Sequence, residues 1–344
     1  MKRRALFGLA TAGALVLAAA PSFAQDVTLR LHQFLPPAAN LPKNMLVPWA
    51  ERLKEASDGR IEIQMFDAMA LGGAPNALLD QARDGVVDIS MTLSGYTPGR
   101  FPRTEVFELP FMMSDPVATA VSFWQMIESD FQANEYADVK VLSGWVHGPG
   151  VIHTKDPVTR LEDMQGKTLR APTRIITDLL GELGATAVGM PLPAVPEALS
   201  KGVINGTVIP WEVTPAMKLS ELVTNHAEFG GTEALYTATF VLVMNQDRFD
   251  ALPDDLKAII EAESGEKLAR FAGEVMFEYD KPARDIAAAA GNSITTLDET
   301  ETARWKEAAQ PVYARWIAEM NDKGIDGQAL IDEARAHIAA NSGK

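Results

Sequence analysis

The chain has 344 residues, 47% of them apolar and 22% charged, a globular profile of about two domains that excludes a mostly disordered or collagen-like chain. Its 31 basic and 46 acidic residues leave a net charge of −15, the wrong sign for a phosphate-binding footprint, so nucleic acid is not expected as a partner. Cysteine is absent, which excludes disulfides, thiolate nucleophiles, iron–sulfur clusters and zinc–thiolate sites.

Lys2, Arg3 and Arg4 precede an apolar run from Ala5 to Ala20, and Ser22-Phe23-Ala24 follows. The run is short for a membrane span. Small residues at −3 and −1 fit a signal peptide, residues 1–24, cleaved after Ala24. Its loss removes three positive charges and no negative ones, leaving 320 residues at net −18. The expected location is the periplasm, where a chain this long buries its own cores without disulfides.

Val27 to His32 alternates as a first strand. A helical period follows from Asn40 and stops at Gly59; Ile61 to Phe66 alternates again. Asn76 to Arg83 reads as a helix, Val86 to Met91 as a third strand, and the order βαβαβ opens an α/β sheet. The connection from Ser94 to Pro110 reads as a long ordered loop, the kind that often carries function. Val117 to Gln132 reads as a helix. A second α/β set follows: strands at 139–147, 151–153, 168–172, 187–190 and 208–211, and helices at 175–183 and 195–201. Tyr236 to Met244 is the most strand-like run. Beyond Leu252-Pro253-Asp254-Asp255 the pattern is almost wholly helical, with Pro282 as an obstacle within 256–290 and further helices over 299–322 and 327–341. No repeat or low-complexity linker occurs, so the chain is expected to cross between lobes more than once.

Common enzyme motifs are missing: there is no Walker A sequence, G-x-S-x-G elbow, H-E-x-x-H or EF-hand loop. Gly148-Pro149-Gly150 reads as a plain turn, since Pro149 removes a donor a phosphate loop needs. His147 and His153 admit either a zinc pair or capping and buried hydrogen bonding. No acid/base dyad, resident metal or cofactor is assigned.

Gly166-Lys167-Thr168-Leu169-Arg170-Ala171-Pro172, then Leu183 to Pro191 and Pro196 to Thr207, resemble a signature of the DctP-type extracytoplasmic binding proteins of TRAP transporters. Leu252-Pro253-Asp254-Asp255-Leu256 matches the family's helix start, and Arg60-Ile61, Leu71-Gly72-Gly73 and Gly85-Val86-Val87-Asp88 agree; Asn205 stands where the family usually has Asp. The resemblance implies a two-lobed, flytrap-like α/β fold of the periplasmic-binding-protein kind. Residues 26–146 with 236–245 would form lobe I and 147–230 lobe II, and helical segments over 254–341 would bridge them. It implies capture of a small organic acid (a monocarboxylate, possibly aromatic, hydroxy or 2-oxo) and delivery to the small and large membrane subunits of a TRAP permease.

The resemblance assigns Arg170 to the ligand carboxylate. A guanidinium matches a carboxylate in a bidentate fork, and strand ends facing an interlobe crevice are where α/β proteins bind ligands. In the sialic-acid-binding branch a second arginine stands where this chain has Gly150, so a more apolar cleft is expected. Trp211 is read either as a stacking floor for the ligand or as core packing. Glu212 either bridges a metal to a 2-oxo acid or accepts a nearby N–H. His32 and Phe34 at the end of the first strand, Tyr96 after the third, Thr173 and Arg174 at a helix start, where N–H groups favour an anion, and Asn245 complete the expected site. The competing class is a secreted α/β enzyme acting on a small carboxylate through an unfamiliar site; a sensor subunit built on the same flytrap is a third.

Overall fold

The computed structural model describes residues 27–231 and 233–343. The signal peptide read at 1–24 lies outside them. Among the described residues eleven strands form two sheets. The first holds β1 (Val27–Gln33), β2 (Ile61–Phe66), β3 (Ile89–Leu93), β4 (Val139–Val146) and β10 (Thr239–Asn245), in the order β2-β1-β3-β10-β4. The second holds β5 (Val151–Thr154), β6 (Thr168–Ala171), β7 (Thr186–Gly189), β8 (Gly206–Ile209), β9 (Asn225–Phe229) and β11 (Ser293–Leu297), in the order β11-β9-β5-β8-β6-β7. Each sheet is the centre of one lobe.

β1 runs parallel to β2 and β3, which needs the crossover helices found between them. β10 enters antiparallel between β3 and β4. Its run Phe-Val-Leu-Val-Met is buried on both faces, as a central strand requires. The chain passes between sheets at 147–150, again at 230–238, and a third time along the helix Gly265–Ala289, which leads to β11. That helix packs against the helix Pro116–Met126, β4 and the turn Trp211–Val213, so it touches both lobes.

Pro282 does not end this helix, which is one piece of 25 residues. The ring removes the hydrogen bond to the carbonyl of Glu278. Both residues are exposed, so water can take the bond's place. The 299–322 region divides into helices Glu299–Ala308 and Gln310–Asp322, with Pro311 in the first turn of the second, a position where its missing N–H costs nothing. β11 interrupts the segment expected to be helical. It and β9 were not apparent in the sequence: Ser-Ile-Thr-Thr-Leu and Asn-His-Ala-Glu-Phe are short, polar-rich runs that become strands by pairing with each other.

Candidate functional site

The parallel strands point their C-terminal ends at the seam between the sheets, and the site lies there. β6 ends at Ala171, β8 at Ile209, and β3 leads into the turn Ser94–Tyr96. β4 delivers His147 and the start of β10 delivers Phe240. Together they line a small, tightly closed cavity at the seam. Phe34, Leu93, Leu192, Ile209, Val213 and Phe240 give its apolar wall, and Arg170, Tyr96, Tyr236, His147 and Glu212 its polar groups. Phe34 meets Tyr96 edge-on at 5.3 Å between ring centroids and stacks on Phe240 at 6.3 Å. Such aromatic contacts hold the wall rigid.

Arg170 is 2% exposed. Its Nε donates to the Met190 carbonyl at 2.9 Å and Nη1 to the Val208 carbonyl at 3.4 Å. No described carboxylate oxygen lies within 4.0 Å of it, although 24 other basic–acidic contacts satisfy that limit for lysine or arginine. Burial lowers its pKa, partly offset by the Tyr96 and Tyr236 hydroxyls beside it. A buried cation without a counter-charge is costly, and an anionic ligand removes that cost. The Leu192 N–H donates to the Tyr96 hydroxyl at 3.0 Å, joining the lobes and leaving the phenol's own hydrogen to donate. Burial raises the Tyr96 pKa, so that proton stays.

Glu212 opposes this arrangement with an acceptor. The turn after β8 places it in the wall; its backbone N–H donates to Asp280 at 2.8 Å, and its Oε1 meets His147 Nε2 at 2.7 Å. Burial and the neighbouring Glu212 carboxylate push Asp280 well above the ordinary carboxylate range.

Arg170, Tyr96, Phe34 and Glu212 thus meet at one cavity. The other expected residues lie elsewhere. β8 stops at Ile209, so the turn Trp211–Val213 carries the Trp211 indole to the opposite side. There it packs on His153 and His226 and against Ala283 and Ala287 of the long helix, with Nε1 donating to Glu228. Trp211 does not line the cavity of Arg170, and its packing is that of the core-packing alternative. Thr173 and Arg174 face a neighbouring open groove that shares Tyr96 and Pro172 with the cavity. Arg174 is held by carboxylates: Nε and Nη2 donate to the two Glu105 oxygens at 3.1 and 2.5 Å, and Glu319 lies at 2.8 Å. His32 is spent on Gln81 at 2.6 Å and on the Leu71 N–H. Asn245 caps the helix Gln246–Asp250 and binds the Ala82 and Arg83 carbonyls. Five residues along β10 from Phe240, it sits about 17 Å from the cavity end of that strand.

Sequence reasoning missed Tyr236, Phe240 and His147 as lining residues. One signal was available at Gly150. A Cβ there would lie 2.1 Å from the Tyr236 ring, so glycine is what admits the tyrosine. His147 and His153 do not form a metal pair. His147 meets Glu212 and His153 meets His226, and no group of three His, Asp or Glu suited to a metal occurs among the described residues.

Two α/β lobes closed over an unneutralised arginine define a small-molecule binding protein. Residues 33–320 match the bacterial extracellular solute-binding proteins, family 7 (DctP), and the chain belongs to that family. It is similar to a TRAP solute-binding protein from Rhodoferax ferrireducens solved with copurified benzoate: 47% identity, TM-score 0.90, covering 92% of this chain and 98% of that one. A marine metagenome TRAP protein specific for aromatic acid ligands, solved with 3-hydroxybenzoate, is 42% identical, with TM-score 0.91 and coverage of 93% and 100%. A Bordetella bronchiseptica TRAP protein with bound (R)- and (S)-mandelate is 30% identical, with TM-score 0.84 and coverage of 91% and 99%. No described helix is long and apolar enough to cross a membrane.

Proposed function

We propose that this protein captures an aromatic monocarboxylate between its lobes and hands it to the membrane subunits of a TRAP permease. In this reading it works in the periplasm after cleavage behind Ala24. The observation that carries it is Arg170, a buried guanidinium with no carboxylate partner, set in an aromatic-walled cavity. The ligand carboxylate takes the fork of the guanidinium and the free hydroxyl hydrogen of Tyr96. The ring replaces water along Phe34, Leu93, Ile209 and Phe240, and burial of its apolar surface favours binding. Gly150 and Tyr236 favour one acid group over two, since the tyrosine fills the space a second cation would need. The relatives solved with benzoate, 3-hydroxybenzoate and mandelate support the ligand class.

The reading is of a binder and not an enzyme. The cavity wall has no serine, threonine, cysteine or lysine to serve as a nucleophile beside the His147–Glu212 pair. A thermal-shift screen against benzoate, hydroxybenzoates, mandelate, acetate, succinate and 2-oxoglutarate tests it. A binder gains stability as RT ln(1 + [L]/Kd). The aromatic monocarboxylates are expected to raise Tm most and to be recovered unchanged. A best response from succinate, or consumption of the acid, would overturn the proposal.

A further inference from the structure

Glu212 has a feature that carboxylate capture by Arg170 does not explain. Its side chain is 2% exposed, yet only Oε1 is engaged, by His147. Oε2 has no hydrogen-bond partner among the described residues, and the residue lines the same cavity as Arg170. Among the described residues no ion pair within 4.0 Å joins Glu212 to Arg170, and the carboxylate's partner among them is His147. A carboxylate oxygen facing a cavity with no partner asks for a donor once a ligand displaces water from it, and most of the surrounding wall is apolar.

We infer that Glu212 reads a hydrogen-bond donor on the ligand ring, so that the preferred ligands are hydroxylated aromatic monocarboxylates and not the unsubstituted acid. The inference rests on the aromatic-acid reading above and sharpens it. Arg170 fixes the carboxylate, the rigid ring fixes the substituent, and Glu212 Oε2 accepts the phenolic hydrogen in a short, charge-assisted bond. His147 holds the carboxylate in place from its other oxygen. The same carboxylate repels a second acid group. A site built to accept a hydroxyl hydrogen discriminates strongly against a ligand lacking it, because its buried acceptor is then left unpaired.

Calorimetric titration of the mature chain with benzoate, the three hydroxybenzoate isomers and their methyl ethers tests this. At least one isomer is expected to bind tenfold or more tightly than benzoate, and its methyl ether is expected to lose that gain. Glu212→Leu should bring the ratio of that isomer to benzoate within threefold, whereas Glu212→Gln, which keeps an acceptor oxygen, should retain part of it. Benzoate binding as tightly as every isomer, or a ratio that survives Glu212→Leu, would overturn the inference while leaving the aromatic-acid reading intact. If Glu212→Leu does not fold, the methyl-ether comparison in the wild type still decides, a methyl ether equal to its phenol being the contrary result. Failure of benzoate and all isomers to bind would instead remove the aromatic-acid reading itself.

Discussion

Arg170 and Arg174 stand four residues apart, on a strand end and on the first turn of the helix that follows, and both look toward the opposite lobe. Their surroundings are opposite. Arg174 is gripped by both oxygens of Glu105 from the first lobe and by Glu319 from the helix Gln310–Asp322, with Asp178 at 3.8 Å. Burial works against its charge, but Glu105, Glu319 and Asp178 outweigh it and raise its pKa. Arg170 has carbonyls and phenols around it and no described carboxylate within 4.0 Å. A satisfied arginine at a seam fastens lobes together; an unsatisfied one beside a cavity waits for an anion. The difference between latch and anchor lies in the counter-charges and not in the residue type.

The strongest way to break this comparison is to remove the anchor. Truncating one member of a buried charge pair costs about 2–5 kcal/mol, or roughly 30- to 5,000-fold in affinity. Arg170→Ala is expected to weaken benzoate by that much in calorimetry and still fold, and Arg170→Lys, which keeps charge but not the fork, to fall in between. Binding within threefold of wild type would make Arg170 a structural residue.

The next test crowds the anchor without touching it. In Gly150→Ala the new Cβ meets the Tyr236 ring at 2.1 Å, and overpacking of this kind costs about 1–3 kcal/mol. That cost falls on the fold, so Tm is expected to drop, and aromatic acids, which meet the displaced Tyr236 ring, are expected to bind more weakly in the same titration. Unchanged affinity would show that Tyr236 does not shape the site.

A smaller effect is expected at the latch. Arg174→Ala leaves Glu105 facing Glu319 across the seam and should favour the open form. Because the cluster is partly exposed, the loss is modest, within about tenfold, and equal for all ligands. A loss as large as that of Arg170→Ala would exchange the two assigned roles.

The smallest effect is one of pH. Glu108 lies by the seam, where its Oε1 accepts from the Thr239 N–H and hydroxyl. The close approach of Gly95 to Thr173 brings the other lobe against it. Burial pushes the Glu108 carboxyl up to about 7, against the Thr239 hydrogen bonds. A carboxyl raised on folding adds stability at low pH and loses it as pH climbs from about 4.5 through about 7. The Tm difference between wild type and Glu108→Gln should therefore move against the wild type from pH 5 to pH 8. Glu105 and Glu135, which burial also raises, are present in both proteins. A difference independent of pH would place the Glu108 titration outside this window.

How much of this was legible depends on whether neighbours in sequence decide the outcome. Arg170 is singled out by the family resemblance and Tyr96 by its place after a strand; both stand at strand ends, Ala171 and Leu93, and a strand end is a local feature. Tyr236, Phe240 and His147 reach the cavity because β10 inserts between β3 and β4, a long-range pairing no local pattern announces. For Trp211 the sequence leaves a ligand floor and core packing both open; which side the indole takes is set by the turn that begins after Pro210, which packs it on His153 and His226 and presents Glu212 to the cavity. Arg174 carried the right charge for an anion site, but Glu105 and Glu319, which occupy it, lie 69 residues before and 145 after it in the chain.

The central claim is that Arg170, and not Arg174, receives the ligand. The most direct measurement is a crystal structure of the mature protein with benzoate. The account predicts both carboxylate oxygens about 2.7–2.9 Å from Arg170 nitrogens, the ring against the wall that Phe34 and Phe240 form, and the Arg174–Glu105 pair intact. A carboxylate seated on Arg174, or in the groove beside Thr173 with the Arg170 cavity still empty of ligand, would contradict it.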